Sequence, residues 1–108
     1  MGRHEEGIGY LRRAVQLDPG DSAAHYDLGS DFLEVNQLPE AAAEFVAALK
    51  LAPNSSLAHN NLGIALASEG RLDEAMDHFR QALAIQPDFA DAQSNLAIAR
   101  ARKEGAGR

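Results

Sequence analysis

The 108-residue sequence contains no cysteine, so neither a disulfide framework nor a thiolate metal site nor a cysteine nucleophile can be built from it. Threonine is also absent, and valine and isoleucine together supply seven residues against 21 alanines and 13 leucines. β-Branched side chains favour pleated strands and alanine favours helix, so this balance excludes the all-β classes. No apolar run approaches the roughly 20 residues needed to span a bilayer. The opening residues, Met1-Gly2-Arg3-His4-Glu5-Glu6, lack the apolar segment of a secretion signal. Met1-Gly2 starts an acylation motif, but Glu6 stands where that motif requires Ser or Thr. The expected setting is therefore soluble and cytoplasmic, with no membrane partner.

Basic residues are scarce: 10 Lys and Arg face 16 Asp and Glu, for a net charge of -6. They are also unevenly placed. Residues 1–99 hold 15 acidic and six basic groups, whereas residues 100–108 hold Arg100, Arg102, Lys103 and Arg108 against Glu104 alone. A body of this sign opposes phosphate backbones, which attract Lys and Arg in exchange for released counterions, so no nucleic-acid partner is expected. The length suffices for one small domain with one core.

Against these absences stands a repeat. A shift of 34 residues aligns Pro19, Pro53 and Pro87; Ala14, Ala48 and Ala82; and Leu11, Phe45 and Phe79. The same shift aligns Gly7, Ala41 and Ala75; Leu28, Leu62 and Leu96; Gly29, Gly63 and Ala97; and His25 with His59. A fixed period of this length marks a supersecondary unit that cannot bury its apolar face alone and stacks on its neighbours. Within each period the apolar spacing is helical: Leu28, Phe32 and Val35 form one stripe, and Ala41, Phe45, Ala48 and Leu49 the next.

Breaks fall where backbone chemistry requires them. Asn36 and Gly70 can adopt the left-handed conformation that ends a helix, and Asp18-Pro19-Gly20, Ala52-Pro53-Asn54 and Gln86-Pro87-Asp88 interrupt the chain again. Ser22 and Ser56 are the expected N-caps. The pattern predicts six helices, at about 4–17, 22–35, 38–51, 56–69, 72–85 and 90–103. Small residues at Gly29, Gly63 and Ala97, and at Ala41 and Ala75, would let helix axes approach, with Phe45 and Phe79 filling the space beside them.

The strings His25-Tyr26-Asp27-Leu28-Gly29 and His59-Asn60-Asn61-Leu62-Gly63, each followed by the Ala, Phe, Ala and Pro columns, resemble the tetratricopeptide repeat. His25, His59 and Gln93 depart from the aromatic usual near the start of that family's first helix. The resemblance implies an all-α, right-handed α-solenoid of antiparallel helix pairs forming one domain over 1–108. Its parts would be a second helix of a partial repeat (2–21), full repeats at 22–55 and 56–89, a final first helix acting as a cap (90–103) and a basic tail (104–108).

The resemblance also implies a protein-interaction module that binds a peptide or partner protein in a concave groove lined by the first helices. The positions left to a ligand are Tyr26, Asp27, Ser30, Leu33 and Glu34, then Leu57, Asn60, Asn61, Ile64 and Ser68, and on the last helix Asp91, Ser94, Asn95 and Ile98. Asp27, Asn61 and Asn95 recur at the repeat spacing, and an amide presents both donor and acceptor. The row is similar to the asparagine row of sugar-nucleotide-dependent protein glycosyltransferases; equally, these amides can bond to neighbouring helices. Some members of the family clamp a C-terminal carboxylate with Lys, Arg and Asn. Here Tyr26 and Asn60 stand where Lys is wanted, and Asp91 with Asn95 replaces the basic pair. With Asp27, Asp31, Glu34 and Asp91 on or near the groove, a segment mixing Lys or Arg with apolar residues fits better.

No residue pattern supports catalysis, a metal or a cofactor. His4-Glu5-Glu6-Gly7-Ile8 begins like a zinc-protease helix but has Ile8 where the second His belongs, and Gly7-Ile8-Gly9 continues to Arg12 where a dinucleotide fingerprint needs Gly. His25 and His59 recur with the repeat and read as packing residues. Asn54-Ser55-Ser56 is a sequon that reads equally as a loop leading into a helix. Two further uses stay open: a targeting segment of a glycosyltransferase or other enzyme, and a scaffold that associates with itself. In the latter, Ile8, Leu11 and Val15 would leave an apolar strip exposed, and the last helix of one copy would pack head to tail on the first helix of another.

Overall fold

A computed structural model describes residues 2–106; Met1 of the discarded acylation motif and residues 107 and 108 of the basic tail lie outside them. The described residues form six α-helices and no strand: α1 (Arg3–Leu17), α2 (Ser22–Glu34), α3 (Leu38–Leu51), α4 (Ser56–Ser68), α5 (Leu72–Ile85) and α6 (Ala90–Ala106). The bounds follow the expected ones to within a residue, except that α6 continues to Ala106 through Gly105, which has the propensity to weaken a helix but not to end one.

The ends of α2 and α4 are set by one residue each. Asn36 has φ 61 and Gly70 φ 83, the left-handed region expected of them. That reversal lets Gln37 N–H donate to Phe32 O at 2.8 Å and Asn36 N–H to Leu33 O at 3.0 Å. The same pair recurs from Arg71 to Leu66 at 2.9 Å and from Gly70 to Ala67 at 3.0 Å, so carbonyls otherwise orphaned at the helix ends are satisfied. The ends of α1, α3 and α5 are set by proline. Asp18, Ala52 and Gln86 all precede Pro and take nearly one conformation, with φ -138, -137 and -134 and ψ 84, 83 and 87. Clash with the pyrrolidine ring excludes the helical region there.

The N-caps correct the sequence reading by one position. Asp21 and Ser55, rather than Ser22 and Ser56, occupy them, with side chains accepting from Ala24 N–H at 3.2 Å and Ala58 N–H at 3.1 Å. A cap needs extended backbone so that its oxygen can reach the N–H three residues on, and Asp21 and Ser55 have that conformation. Ser56, already helical, donates instead to Gln86 Oε1 at 2.9 Å.

The helices group into two compact units, Met1–Pro53 and Asn54–Arg108. In the first, α2 packs against both α1 and α3. Leu28 and Phe32 of α2 meet Ala41, Phe45 and Ala48 of α3 in a core closed to solvent. In the second, α5 packs against α4 and α6, and α4 also touches α6. Leu62 and Leu66, Ala75, Phe79 and Ala82, and Ala92 and Ala99 fill its core.

Both units turn on the same contact. A Cβ placed on Gly29 would lie 2.8 Å from Phe45 Cε1, and one placed on Gly63 would lie 2.5 Å from Phe79 Cε1. The phenylalanine ring therefore rests on bare backbone, and the small residues act as the period suggests. Ala97, third in the glycine column, is exposed on α6.

One expectation is overturned. Ile8 is buried, and Leu11 and Val15 are half-buried, because α1 has α2 to pack on. The apolar groups that α1 exposes are Tyr10, at 81%, and Leu17.

Phe79→Ala should destabilise the chain by about 3 to 5 kcal/mol, from lost transfer energy and the cavity left behind. Gly63→Ala should cost about 1 to 3 kcal/mol, since its methyl would overlap a ring with no free space to move into. Denaturant titration followed by circular dichroism reads both; a Gly63→Ala variant as stable as the parent would show that the ring seat is not a constraint.

Candidate peptide-binding faces

The histidine column fixes how the first helix of each repeat begins. His25 Nδ1 lies 2.9 Å from Glu44 Oε1 on α3, and its Nε2 lies 2.9 Å from the Pro19 carbonyl oxygen. Both neighbours only accept, so the two contacts are satisfied together only by a ring that carries a proton on each nitrogen, and they favour the charged form. Burial works against that charge, but the hydrogen bond to Glu44, the Pro19 carbonyl and the Glu44 charge outweigh it, and the pKa of His25 is raised above 6.5. Gln93 repeats half of this arrangement, its Nε2 donating to Pro87 O at 2.9 Å.

In the second unit the Glu44 position is His78. His59 Nδ1 and His78 Nδ1 are 3.1 Å apart, with near-parallel rings whose centroids are 5.4 Å apart. The contact is a hydrogen bond only when one nitrogen donates and the other accepts. Burial first, and then the proximity of His59, lower the pKa of His78 below 6.5. Sequence reading took both histidines as packing residues and missed their partners. The signal was present: each contact spans 19 residues, at the same point of successive repeats.

The proposed contact residues divide between the units. In the first, Asp27 and Glu34 of α2 are exposed, whereas Ser30 and Leu33 are half-buried. Tyr26 is half-buried with its ring 5.8 Å from that of Phe45. Asp31, read as lying near a groove, is turned instead to α1, where it accepts from His4 Nδ1 at 2.9 Å. That hydrogen bond, against some desolvation, raises the pKa of His4. A Cβ on Gly7 would collide with the Asp31 carboxylate, so the α1 backbone approaches α2 closely there.

In the second unit, α4 and α6 bring one half of the column set together. Leu57 is 53% exposed and Ile98 57%, and Ser68, Asp91 and Ser94 are exposed too. Asn61, Ile64 and Asn95 are half-buried. Asn60 is 4% exposed and accepts from Asn95 Nδ2 at 3.0 Å, a bond between helices at a spacing of 35, one more than the period. This bond runs diagonally, from Asn95 of the row to Asn60 in the neighbouring column. Arg102 donates to Ala67 O at 3.1 Å, a carbonyl at the end of α4 that also accepts from Gly70 N–H, and Lys103 pairs with Asp73 of α5. The basic stretch is in this way tied to its own unit. No group of three or more His, Cys, Asp or Glu side chains among the described residues could hold a metal ion.

An all-α array of helix pairs, with ring-on-glycine packing repeated every 34 residues, defines a helical-repeat protein of the α-solenoid class. The tetratricopeptide repeat model matches residues 26–88, and the chain belongs to that family. The crystal structure of MamA is 26% identical with a TM-score of 0.92, covering 95% of this chain and 60% of that one. YrrB, a tetratricopeptide repeat protein with an unusual peptide-binding site, is 28% identical at a TM-score of 0.81, covering 85% of this chain and 47% of that one. The second such domain of human RPAP3, solved with the HSP70 peptide SGPTIEEVD, is 23% identical at a TM-score of 0.89, covering 92% and 82%. This chain thus spans less than two thirds of the MamA structure and about half of the YrrB structure. No curated protein sequence matches it.

The histidine pairs predict opposite responses to acid. The folded state holds the His25 proton more tightly than the unfolded chain, so that contribution is complete below 6.5 and fades as pH rises through the elevated folded value. The folded state disfavours the His78 proton, so stability falls as pH drops through 6.5. His78→Glu should give His59 the kind of partner His25 has, and reduce the acid loss by about 1 kcal/mol. Thermal melts between about pH 5 and 8 check this; superimposable pH profiles of variant and parent would refute it.

Proposed function

We propose that the chain is a protein-interaction module that binds an extended peptide, or an extended segment of a partner protein, on exposed first-helix residues. The observation that carries the reading is the α4–α6 face. Leu57 and Ile98 stand exposed beside Asp91, Ser94 and the half-buried amides Asn61 and Asn95, the mixture of apolar anchors and polar partners that interfaces use. In the other unit Asp27 and Glu34 flank the half-buried Tyr26, Ser30 and Leu33 of α2. Peptide binding by the RPAP3 domain is consistent with such a use of the fold.

The chemistry favours a different peptide here. SGPTIEEVD is acidic, whereas Asp27, Glu34 and Asp91 put negative charge on these faces and no Lys or Arg stands among the candidate contacts. A segment carrying Lys or Arg among apolar residues complements them. The faces supply recognition and no catalytic group.

Fluorescence anisotropy with two labelled probes tests the reading: SGPTIEEVD and its charge-reversed counterpart SGPTIKKVK. The basic probe should bind at least several-fold more tightly, with the preference shrinking as salt is added. Asp27→Asn with Asp91→Asn should cut that preference by about 0.2 to 1 kcal/mol per carboxylate. Equal or reversed affinity for the two probes would reject the acidic face as the determinant.

A further inference from the structure

His4 and His25 each meet a carboxylate, whereas His59 and His78 meet each other. Their Nδ1 atoms are 3.1 Å apart and their ring centroids 5.4 Å apart. The second distance exceeds the first by about two ring radii, so both nitrogens lie on the line between the centroids. The rings therefore meet edge to edge, each Nδ1 aimed at the other. One proton on either nitrogen satisfies such a pair, and so would a metal ion that takes a lone pair from each.

The fold holds the two rings in place. Gly63 follows His59 by one helical turn and Phe79 directly follows His78, so the histidines flank the contact where a Cβ on Gly63 would lie 2.5 Å from Phe79 Cε1. Zinc binds imidazole nitrogen at about 2.0–2.1 Å, and two such bonds at the tetrahedral angle hold the nitrogens about 3.3–3.4 Å apart. The present gap needs to open by only a few tenths of an ångström, with the rings turning toward an ion beside the line. His59 is 8% exposed and fixed by its surroundings, whereas His78 is half-buried, so it has room to turn and water can fill the remaining positions. Burial, the largest influence on His78, favours the neutral ring, which is the form that ligates. The charges of Asp77 and Glu74 also act on His78 and favour a cation there. Their carboxylates are held by Arg80 and Arg71, so they contribute charge and not ligands.

We propose that His59 and His78 form a two-nitrogen site for a first-row divalent cation that favours imidazole, namely zinc, nickel or copper, bridging α4 to α5. In the first unit the same columns hold His25 and Glu44, and both His25 nitrogens are hydrogen-bonded, to Glu44 and to the Pro19 carbonyl, a pairing that favours protons over a metal. Bound to the folded pair, the ion stabilises the second unit by mass action, since unfolding leaves two histidines 19 residues apart on a flexible chain. This inference does not rest on the peptide-binding reading, and its test involves no peptide.

Thermal melts of the full chain, followed by circular dichroism in a buffer that does not chelate metals, read the site with zinc chloride alone. The melting temperature should climb with zinc, by at least about 5 °C once the free ion is about 100-fold above its Kd. Magnesium chloride, whose cation takes oxygen ligands, should leave it unchanged. His59→Gln and His78→Gln should each fold, because glutamine already fills the His59 column at Gln93 and matches in shape the Glu44 of the His78 column. Each should lose the zinc-dependent shift. His4→Gln, which removes the exposed imidazole beside Asp31, should keep it. A parent whose melting temperature does not rise with zinc, a His78→Gln variant that responds like the parent, or a response lost in His4→Gln would each overturn the proposal.

Discussion

The seat of a phenylalanine ring on a glycine backbone is the constraint from which the rest of each unit follows. With Cε1 of Phe45 and of Phe79 2.8 and 2.5 Å from where a Cβ would be, the two helix axes of a pair can neither separate nor slide without opening a void or forcing a clash. Ala41, Ala48, Ala75 and Ala82, on the same face of the second helix, are buried because axes this close leave room for nothing larger. The alanine content is then a packing requirement as much as a helix-forming one.

The same closeness gives the histidine column its place. A side chain one turn before the glycine, on a helix held this near its mate, can reach both the mate and the loop behind it. His25 does so, joining Glu44 to the Pro19 carbonyl, and Gln93 preserves the link to the loop at Pro87. A phenylalanine here would fill the space without a donor for the carbonyl. Polar residues in this column therefore anchor the loop by hydrogen bonding, and their environment decides their charge. The carboxylate beside His25 favours its charged form, while burial and the neighbouring ring disfavour that of His78.

Most of this architecture was legible in the sequence because it depends on period and backbone chemistry. Pro19, Pro53 and Pro87 and the left-handed Asn36 and Gly70 fix the breaks, and a 34-residue register fixes what faces what. What was illegible depends on single side chains choosing among near neighbours. Asp21 against Ser22, and Ser55 against Ser56, differ by one residue of extended backbone, which composition does not reveal. Asp31 lies close in sequence to the candidate face but turns to His4 on α1, a partner 27 residues away that belongs to no repeat column. The apolar strip of α1 was misjudged because the reading gave that helix no neighbour, when α2 covers Ile8.

For the candidate face, the two uses first weighed for the amide row are compatible. Asn95 spends one N–H on Asn60, which is buried and cannot meet a ligand in the open. That bond fixes the Asn95 side chain and leaves its oxygen and second N–H with no other hydrogen-bond partner among the described residues, so the amide is held in one orientation before any ligand arrives. Pre-ordering of this kind removes the rotamer cost that a free side chain would bear on binding. Asp91 lies four residues earlier on the same helix and therefore on the same side of it, adding a carboxylate within reach of the same segment. An oriented acceptor beside a carboxylate suits N–H donors and cationic side chains far better than it suits an acidic tail. On this helix, then, the bond that serves the fold and the polarity proposed for the ligand have a single source.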